Sequence, residues 1–269
     1  METHSHFFPT NGITLHVVEA NGAENASGAV VIWLHGIWDR WLLWENVVPF
    51  LPGRHLMVEL RGHGESEKPE GAARYRLADY AADIAGLLDL LDLRGVTLVG
   101  FSLGGLIATV LAAQEPGRIA RVVLVDPPYR ETAEPFTELA DLRDLRHEST
   151  DDIAAMLTFL RPERIEAERE REAAWLRMTA DGAFDALIAG TYGPFILRDL
   201  LAQIAQPCLL LQADSRAGGA LSDAMVQRAL VSLPRATYVR FPGSGHNIMH
   251  DHPETFITAV RAWCDTEFS

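Results

Sequence analysis

The sequence predicts an α/β protein: a mostly parallel, eight-stranded, doubly wound sheet with a helical insertion after the sixth strand. Three observations predict it. Short runs rich in Val, Ile and Leu alternate with longer runs of helical spacing, the pattern of strands joined by crossover helices. Most of the short runs are continuously apolar, as parallel strands covered on both faces require. Between Pro127 and Ala205 the alternation stops, and the chain becomes helical and charged.

Taken in order, Phe7 to Thr10 and Ile13 to Val18 flank Asn11-Gly12, a two-residue hairpin turn. Val30 to His35, His55 to Leu60, Val96 to Val99, Val122 to Val125, Cys208 to Gln212 and Thr237 to Phe241 read as buried strands. Leu77 to Leu91 carries apolar residues at 77, 80, 81, 84, 87, 88 and 91, a helical spacing. Leu103 to Gln114 is apolar and long enough for a helix, which Pro116 ends. Within the insertion, Arg161 to Glu172 is a dense charge run. Its pairs Arg164/Glu168 and Glu168/Arg171 have the spacing of a solvated helix face.

With 269 residues and 48% hydrophobic content, the chain can bury one large core. A formal net charge of −14 sets it against nucleic acid and anionic membrane as partners, since both would be repelled at long range. No apolar stretch reaches membrane-spanning length, and the first residues lack the basic and apolar blocks of a secretory signal. Cys208 and Cys264 lie far apart and read as reduced thiols, which makes the cytoplasm the expected location. Metal-ligand spacings and a phosphate-binding loop are missing from the sequence, so no metal and no cofactor is expected. His250-Asp251-His252, just before Pro253, reads as a polar helix cap rather than a metal site.

The chemistry is concentrated at Gly100-Phe101-Ser102-Leu103-Gly104, a G-x-S-x-G elbow between an apolar strand and a helix. So sharp a turn strains the serine backbone and holds its hydroxyl out for attack. A serine hydroxyl is a poor nucleophile until a base takes its proton, and the chain supplies a histidine. His246 ends Gly243-Ser244-Gly245-His246, a glycine-rich loop after the last strand. Backbone N–H groups must also face the oxyanion that forms on the attacked carbonyl, and His35-Gly36-Ile37 at the end of the third strand fits that task.

These stations resemble the α/β-hydrolase family, in its order and over nearly all of the chain outside residues 130 to 200. They are Asn11-Gly12, His35-Gly36, Arg61-Gly62-His63-Gly64-Glu65-Ser66, Gly100-x-Ser102-x-Gly104, Val125-Asp126-Pro127 and Gly245-His246. A single G-x-S-x-G arises by chance, but an ordered series of matches does not. The resemblance implies a core of residues 1–128 and 201–269 and a helical cap, or lid, of residues 129–200. It also implies an oxyanion hole of the Ile37 and Leu103 N–H groups.

The acid that orients the histidine departs from the family pattern. The usual position, after the penultimate strand, holds Arg216. Two carboxylates fill the gap: Asp126, at the end of the sixth strand, where some lactone hydrolases and haloalkane dehalogenases of this fold carry theirs, and Asp214, two residues short of the usual position. Asp126 is preferred, with Asp214 as the alternative.

For substrate binding, Gly36, Trp38, Phe101 and Tyr192 are the candidates, with Trp175, Met178, Phe184 and Phe195 as further lid residues. Trp38, Trp41 and Trp44 recur at intervals of three, which would align them along a helix start, with Trp44 packing that helix onto the sheet. The implied activity is hydrolysis of a small hydrophobic carboxylic ester or lactone through an acyl-enzyme. Serine at the elbow argues against dehalogenase and epoxide-hydrolase chemistry, which use a carboxylate there. Two alternatives stand beside it: a carbon–carbon bond hydrolase of a dienone acid, which needs a basic pocket residue, and a receptor of this fold with little turnover.

Overall fold

The computed structural model describes residues 1–21, 29–160, 164–193 and 196–265. Its strands form one eight-stranded sheet: β1 (Thr3–Thr10), β2 (Ile13–Asn21), β3 (Val30–Leu34), β4 (Arg54–Val58), β5 (Val96–Phe101), β6 (Ile119–Val125), β7 (Cys208–Gln212) and β8 (Ala236–Arg240). Their spatial order is β1-β2-β4-β3-β5-β6-β7-β8. The β1/β2 and β2/β4 pairs are antiparallel, and the remaining pairs are parallel. The helices are α1 (Leu77–Leu90), α2 (Leu103–Gln114), α3 (Ala140–Leu145), α4 (Thr150–Leu160), α5 (Glu166–Arg177), α6 (Asp181–Ile188), α7 (Leu197–Leu201), α8 (Asp223–Ser232), α9 (Ile248–Asp251) and α10 (Pro253–Asp265).

The period-two geometry of the strands divides the core into two layers. Ile32, Leu34, Leu98, Val122 and Leu124 face one side, where they pack with residues of α1, α2 and α8. Val31, Trp33, Val99, Val123 and Val125 face the other, against Trp44 and the α10 residues Phe256, Val260 and Trp263. Full burial of each such side chain contributes about 1.5–3 kcal/mol, which makes the centre of the sheet a rigid platform.

Differences from the sequence reading have local causes. Asn11 and Gly12 take φ of 46° and 73°, as the hairpin turn requires, but β1 begins at Thr3 rather than Phe7. The stretch His4-Ser5-His6 carries no apolar signal; its strand conformation comes from pairing with β2, from Thr3↔Ala20 inward. The last strand is not buried as expected, because β8 is the sheet edge and Thr237 and Arg240 point into solvent.

The insertion between β6 and β7 supplies α3 to α7. Its charge run is not simply a solvated face. Glu172, Ala173, Trp175 and Leu176 are buried on α5, and Arg164 is buried just before it. The pairs that form are different: Arg164 meets Glu172 further along the same segment (3.4 Å), while Glu168 reaches His250 (2.8 Å) and Arg171 reaches Glu45 across the fold. Arg161, Pro162 and Glu163 lie outside the described residues. Among the described residues no helix is long and apolar enough to cross a membrane.

Candidate active site

Ser102 sits between β5 and α2 with φ 51° and ψ −117°, a left-handed conformation that costs an L-residue on the order of 1–3 kcal/mol. The surroundings hold it there. Its N–H donates to Val125 O of β6 at 3.0 Å, and Gly104 N–H donates to His35 O at 3.1 Å. The flanking glycines are needed because strand and helix backbones nearly touch. A Cβ on Gly100 would lie 2.2 Å from Gly104 O, and one on Gly104 2.2 Å from Leu34 O.

His246 follows β8 on a loop pinned at several points. Gly243 has φ 74° and its N–H donates to Asp214 Oδ2 at 3.1 Å; Asp214 N–H donates to Ser244 O at 2.9 Å; Gly245 N–H donates to Asp251 Oδ2 at 2.8 Å. The imidazole packs 4.6 Å from the Phe101 ring, the neighbour of Ser102. Its Nδ1 lies 2.7 Å from Asp126 Oδ2, so Nδ1 carries the proton and Nε2 the lone pair.

Asp126 is fully buried at the C-terminal end of β6, with φ 42°. Besides the imidazole, its carboxylate accepts from the N–H groups of Ala213 (3.1 Å), Ala220 (2.7 Å) and Leu221 (3.3 Å). Asp214 is oriented elsewhere. Its carboxylate accepts from Arg216 N–H at 3.0 Å and from Gly243 N–H, and these donors hold its carboxyl below the usual range. It therefore fastens the histidine loop without reaching the ring.

Ile37 and Leu103 line the same pocket as Ser102. Among the described residues neither N–H has an acceptor, a state that suits donors awaiting an oxyanion. The loop before Ile37 rests on two buried histidines. His35 Nδ1 donates to Gly36 O at 2.7 Å while Nε2 accepts from Leu60 N–H at 3.1 Å, and the His63 ring meets His35 edge-on at 5.0 Å. Burial pushes His35 down to about 4 and His63 to about 3, so both are neutral spacers. The Arg61 to Ser66 motif is thus structural: Arg61 is buried against Asp83 at 2.5 and 2.6 Å, and Ser66 Oγ donates to Glu59 O at 2.6 Å.

Ser102, His246, Ile37 and Leu103 open onto a cavity of about 380 Å³, within the usual range of small-molecule sites. Trp38, at φ 56°, forms part of its wall. The other candidates for substrate binding do not line it. Gly36 lies under the loop, where a Cβ would meet Asp39 Oδ2 at 2.6 Å; Phe101 packs in the core behind the elbow; and Tyr192 is buried against Phe136, its hydroxyl on Glu134 O at 2.9 Å. Phe184 is interior to the insertion, Trp175 lines a separate small cleft, and Met178 Sδ contacts Arg40. Phe195 lies outside the described residues.

The insertion contributes Phe136, Glu138, Leu139 and Leu187 instead, and the loop after β6 contributes Pro128, Tyr129 and Arg130. Apolar spacing alone cannot tell which face of the insertion packs inward and which faces the pocket, so the sequence carries no signal for these apolar walls. Arg130 carried a signal, since it follows Asp126 by four residues. The three tryptophans do not share a face either. Trp44 packs against Trp33 with ring centres 4.9 Å apart and planes tilted by 49°, and only Trp41 to Trp44 form a turn, of 3₁₀ type. Among the described residues no group of three or more His, Cys, Asp or Glu is placed to hold a metal; His250 reaches across to Glu168.

A family model described as the alpha/beta hydrolase family matches residues 31–259. The chain is 29% identical to a 2-(acetamidomethylene)succinate hydrolase of Mesorhizobium japonicum, over 97% of both proteins. It is 32% identical to the AB hydrolase superfamily protein YfhM of Bacillus subtilis over 49% of this chain, and the match spans 46% of that protein, under half its length. Among solved structures, an enol-lactonase from Burkholderia xenovorans superposes with a TM-score of 0.80 at 21% identity, over 97% of this chain and 100% of that one. With the elbow, the sheet order and a match across most of its length, the chain belongs to the alpha/beta hydrolase family.

Proposed function

We propose that this protein is a serine hydrolase that cleaves a small carboxylic ester or lactone, with Ser102 as nucleophile, His246 as base and Asp126 as the orienting acid. One observation carries the reading: the 2.7 Å contact between His246 Nδ1 and Asp126 Oδ2 fixes the tautomer whose Nε2 accepts a proton, in the pocket that Ser102 lines.

The Ser102 Oγ bonds to the substrate carbonyl carbon as its proton passes to His246 Nε2. The N–H groups of Ile37 and Leu103 take the charge on the carbonyl oxygen. Collapse of that intermediate breaks the bond to the leaving alkoxide, which leaves with the proton from His246. A water then gives its proton to His246, adds to the acyl carbon and releases the acid, restoring Ser102. The segment between β6 and β7 acts as the lid, and its Phe136, Leu139 and Leu187 favour an apolar acyl group. Arg130 favours a second reading, cleavage of a carbon–carbon bond beside a ketone in an acid substrate, since it is the basic pocket residue such a substrate needs.

The test is turnover of para-nitrophenyl butyrate and labelling by a fluorophosphonate. The wild type should show both. Ser102→Ala should lose labelling and about 10⁴-fold or more in kcat. A correctly folded wild type that neither labels nor turns over ester overturns the reading.

A further inference from the structure

Among the described residues that line the Ser102 pocket, Arg130 is the one arginine. Its base is held firmly. Pro127 and Pro128 precede it, and the neighbouring Tyr129 is buried with its hydroxyl 2.6 Å from Thr109 Oγ1 on α2, the helix that starts at the nucleophile. Thr109 Oγ1 in turn donates to Gly105 O at 2.8 Å. Arg130 and Ser102 are therefore mounted on the same rigid block of backbone.

The guanidinium lies 4.1 Å over the Phe136 ring, which orients its plane within the pocket. Of its nitrogens, Nη2 donates to Glu138 Oε1 at 2.7 Å, while Nε has no partner among the described residues. A guanidinium offers five donors in a fixed fork matched to a carboxylate, and one monodentate contact leaves most of them unused. Glu138 is poorly committed to its role: its side chain is 60% exposed, and an ion pair that open to water is weak. A carboxylate entering this largely apolar pocket would be the better partner, because it is desolvated beside the cation and can take two donors at once.

We propose that Arg130 is a carboxylate anchor and that the substrate is a small organic acid, its free carboxylate held by Arg130 while its scissile carbonyl meets Ser102. Glu138 pairs with the anchor and gives way to the substrate carboxylate when substrate binds. The proposal rests on the serine-hydrolase reading for the bond that is cleaved, but the anchor itself is testable without turnover.

The experiment compares the mono-para-nitrophenyl ester of glutaric acid with para-nitrophenyl pentanoate, which has the same chain length and no free acid. The readout is the acid-to-neutral ratio of kcat/KM. Arg130→Gln should lower that ratio by about ten- to a hundredfold, chiefly through KM of the acid ester. Arg130→Lys, which keeps the charge but loses the fork, should fall between, and Glu138→Gln should raise the ratio. A purely structural role for Arg130 would change both esters alike, so an unchanged ratio in Arg130→Gln overturns the proposal. Calorimetric titration with glutarate supplies the second arm, on wild type and on Arg130→Gln shown to be folded by circular dichroism. Binding by wild type that is lost in the variant supports the anchor, and glutarate that binds neither form, or both equally, overturns it. If wild type turns over neither ester yet binds glutarate through Arg130, the serine-hydrolase reading fails and the anchor stands.

Discussion

At the scale of single residues, Asp126 concentrates the most. Three backbone N–H groups and the imidazole converge on one buried carboxylate, so both oxygens are fixed and the ring is held in one tautomer. Replacing it by Asn removes the acceptor opposite Nδ1–H and favours the tautomer that cannot take the serine proton. Asp126→Asn should lower kcat by about 10⁴-fold with a native circular dichroism spectrum. Asp214→Asn, which disturbs the Gly243 and Arg216 contacts and a 3.8 Å ion pair with Arg240 but nothing at the imidazole, should cost under about tenfold. Steady-state rates on the same ester decide between them, and near-normal rates in both variants would remove the acid from the mechanism. The sequence narrowed the choice to these two. It left it open because both follow apolar strands, and only the path of the β7–α8 loop brings Ala220 and Leu221 onto Asp126.

At the scale of elements, the strand–turn–helix unit from β5 to α2 sets Ser102 on a sharp turn at the pocket, and its glycines mark where two backbones approach without room for a Cβ. Gly104→Ala would drive a methyl to within 2.2 Å of Leu34 O, a backbone atom that cannot rotate away. The expected cost is about 3 kcal/mol in urea unfolding, with a matching fall in kcat as the Leu103 N–H shifts. Gly117→Ala, whose added Cβ meets nothing within 4 Å, should change stability by less than about 0.5 kcal/mol. Equal effects of the two substitutions would contradict the close-approach account. The elbow was legible in the sequence because G-x-S-x-G is a local pattern with a local cause. The insertion between β6 and β7 was legible only as helix, since which of its apolar residues face the pocket depends on how α3 to α6 settle on the sheet.

At the scale of the whole molecule, burial of imidazoles ties stability to pH. His35 and His55 are pushed from the usual 6.5 down to about 4 and His63 to about 3, in each case chiefly by desolvation. The unfolded chain takes up these protons near 6.5 and the folded chain does so only near 3 to 4, so stability falls as pH drops through that window. Glu59 acts in the same direction lower down. Burial alone would raise its carboxyl, but hydrogen bonds from His16, Arg40 and the Glu65 N–H hold it at about 2, so its contribution is complete above 4.5 and lost on further acidification. Thermal melts should therefore show Tm declining between pH 6.5 and 4. His55→Gln can keep the contacts with Trp33 Nε1 and Leu51 O without a titrating ring, and should make that decline shallower. An equally steep decline in the variant would refute the assignment to His55.

By itself, the sequence determined the sheet, its doubly wound class, the strand–turn–helix elbow at Ser102 and the glycine-rich loop at His246. Each is written in local periodicity or in glycines that only a sharp turn explains. The tertiary structure alone decided which carboxylate meets His246, which side chains wall the cavity, and that the charge run on α5 reaches across to Glu45 and His250 instead of pairing along the helix. Those are contacts between residues far apart in the chain, and they depend on how loops close over the sheet, for which neighbouring residues carry no record.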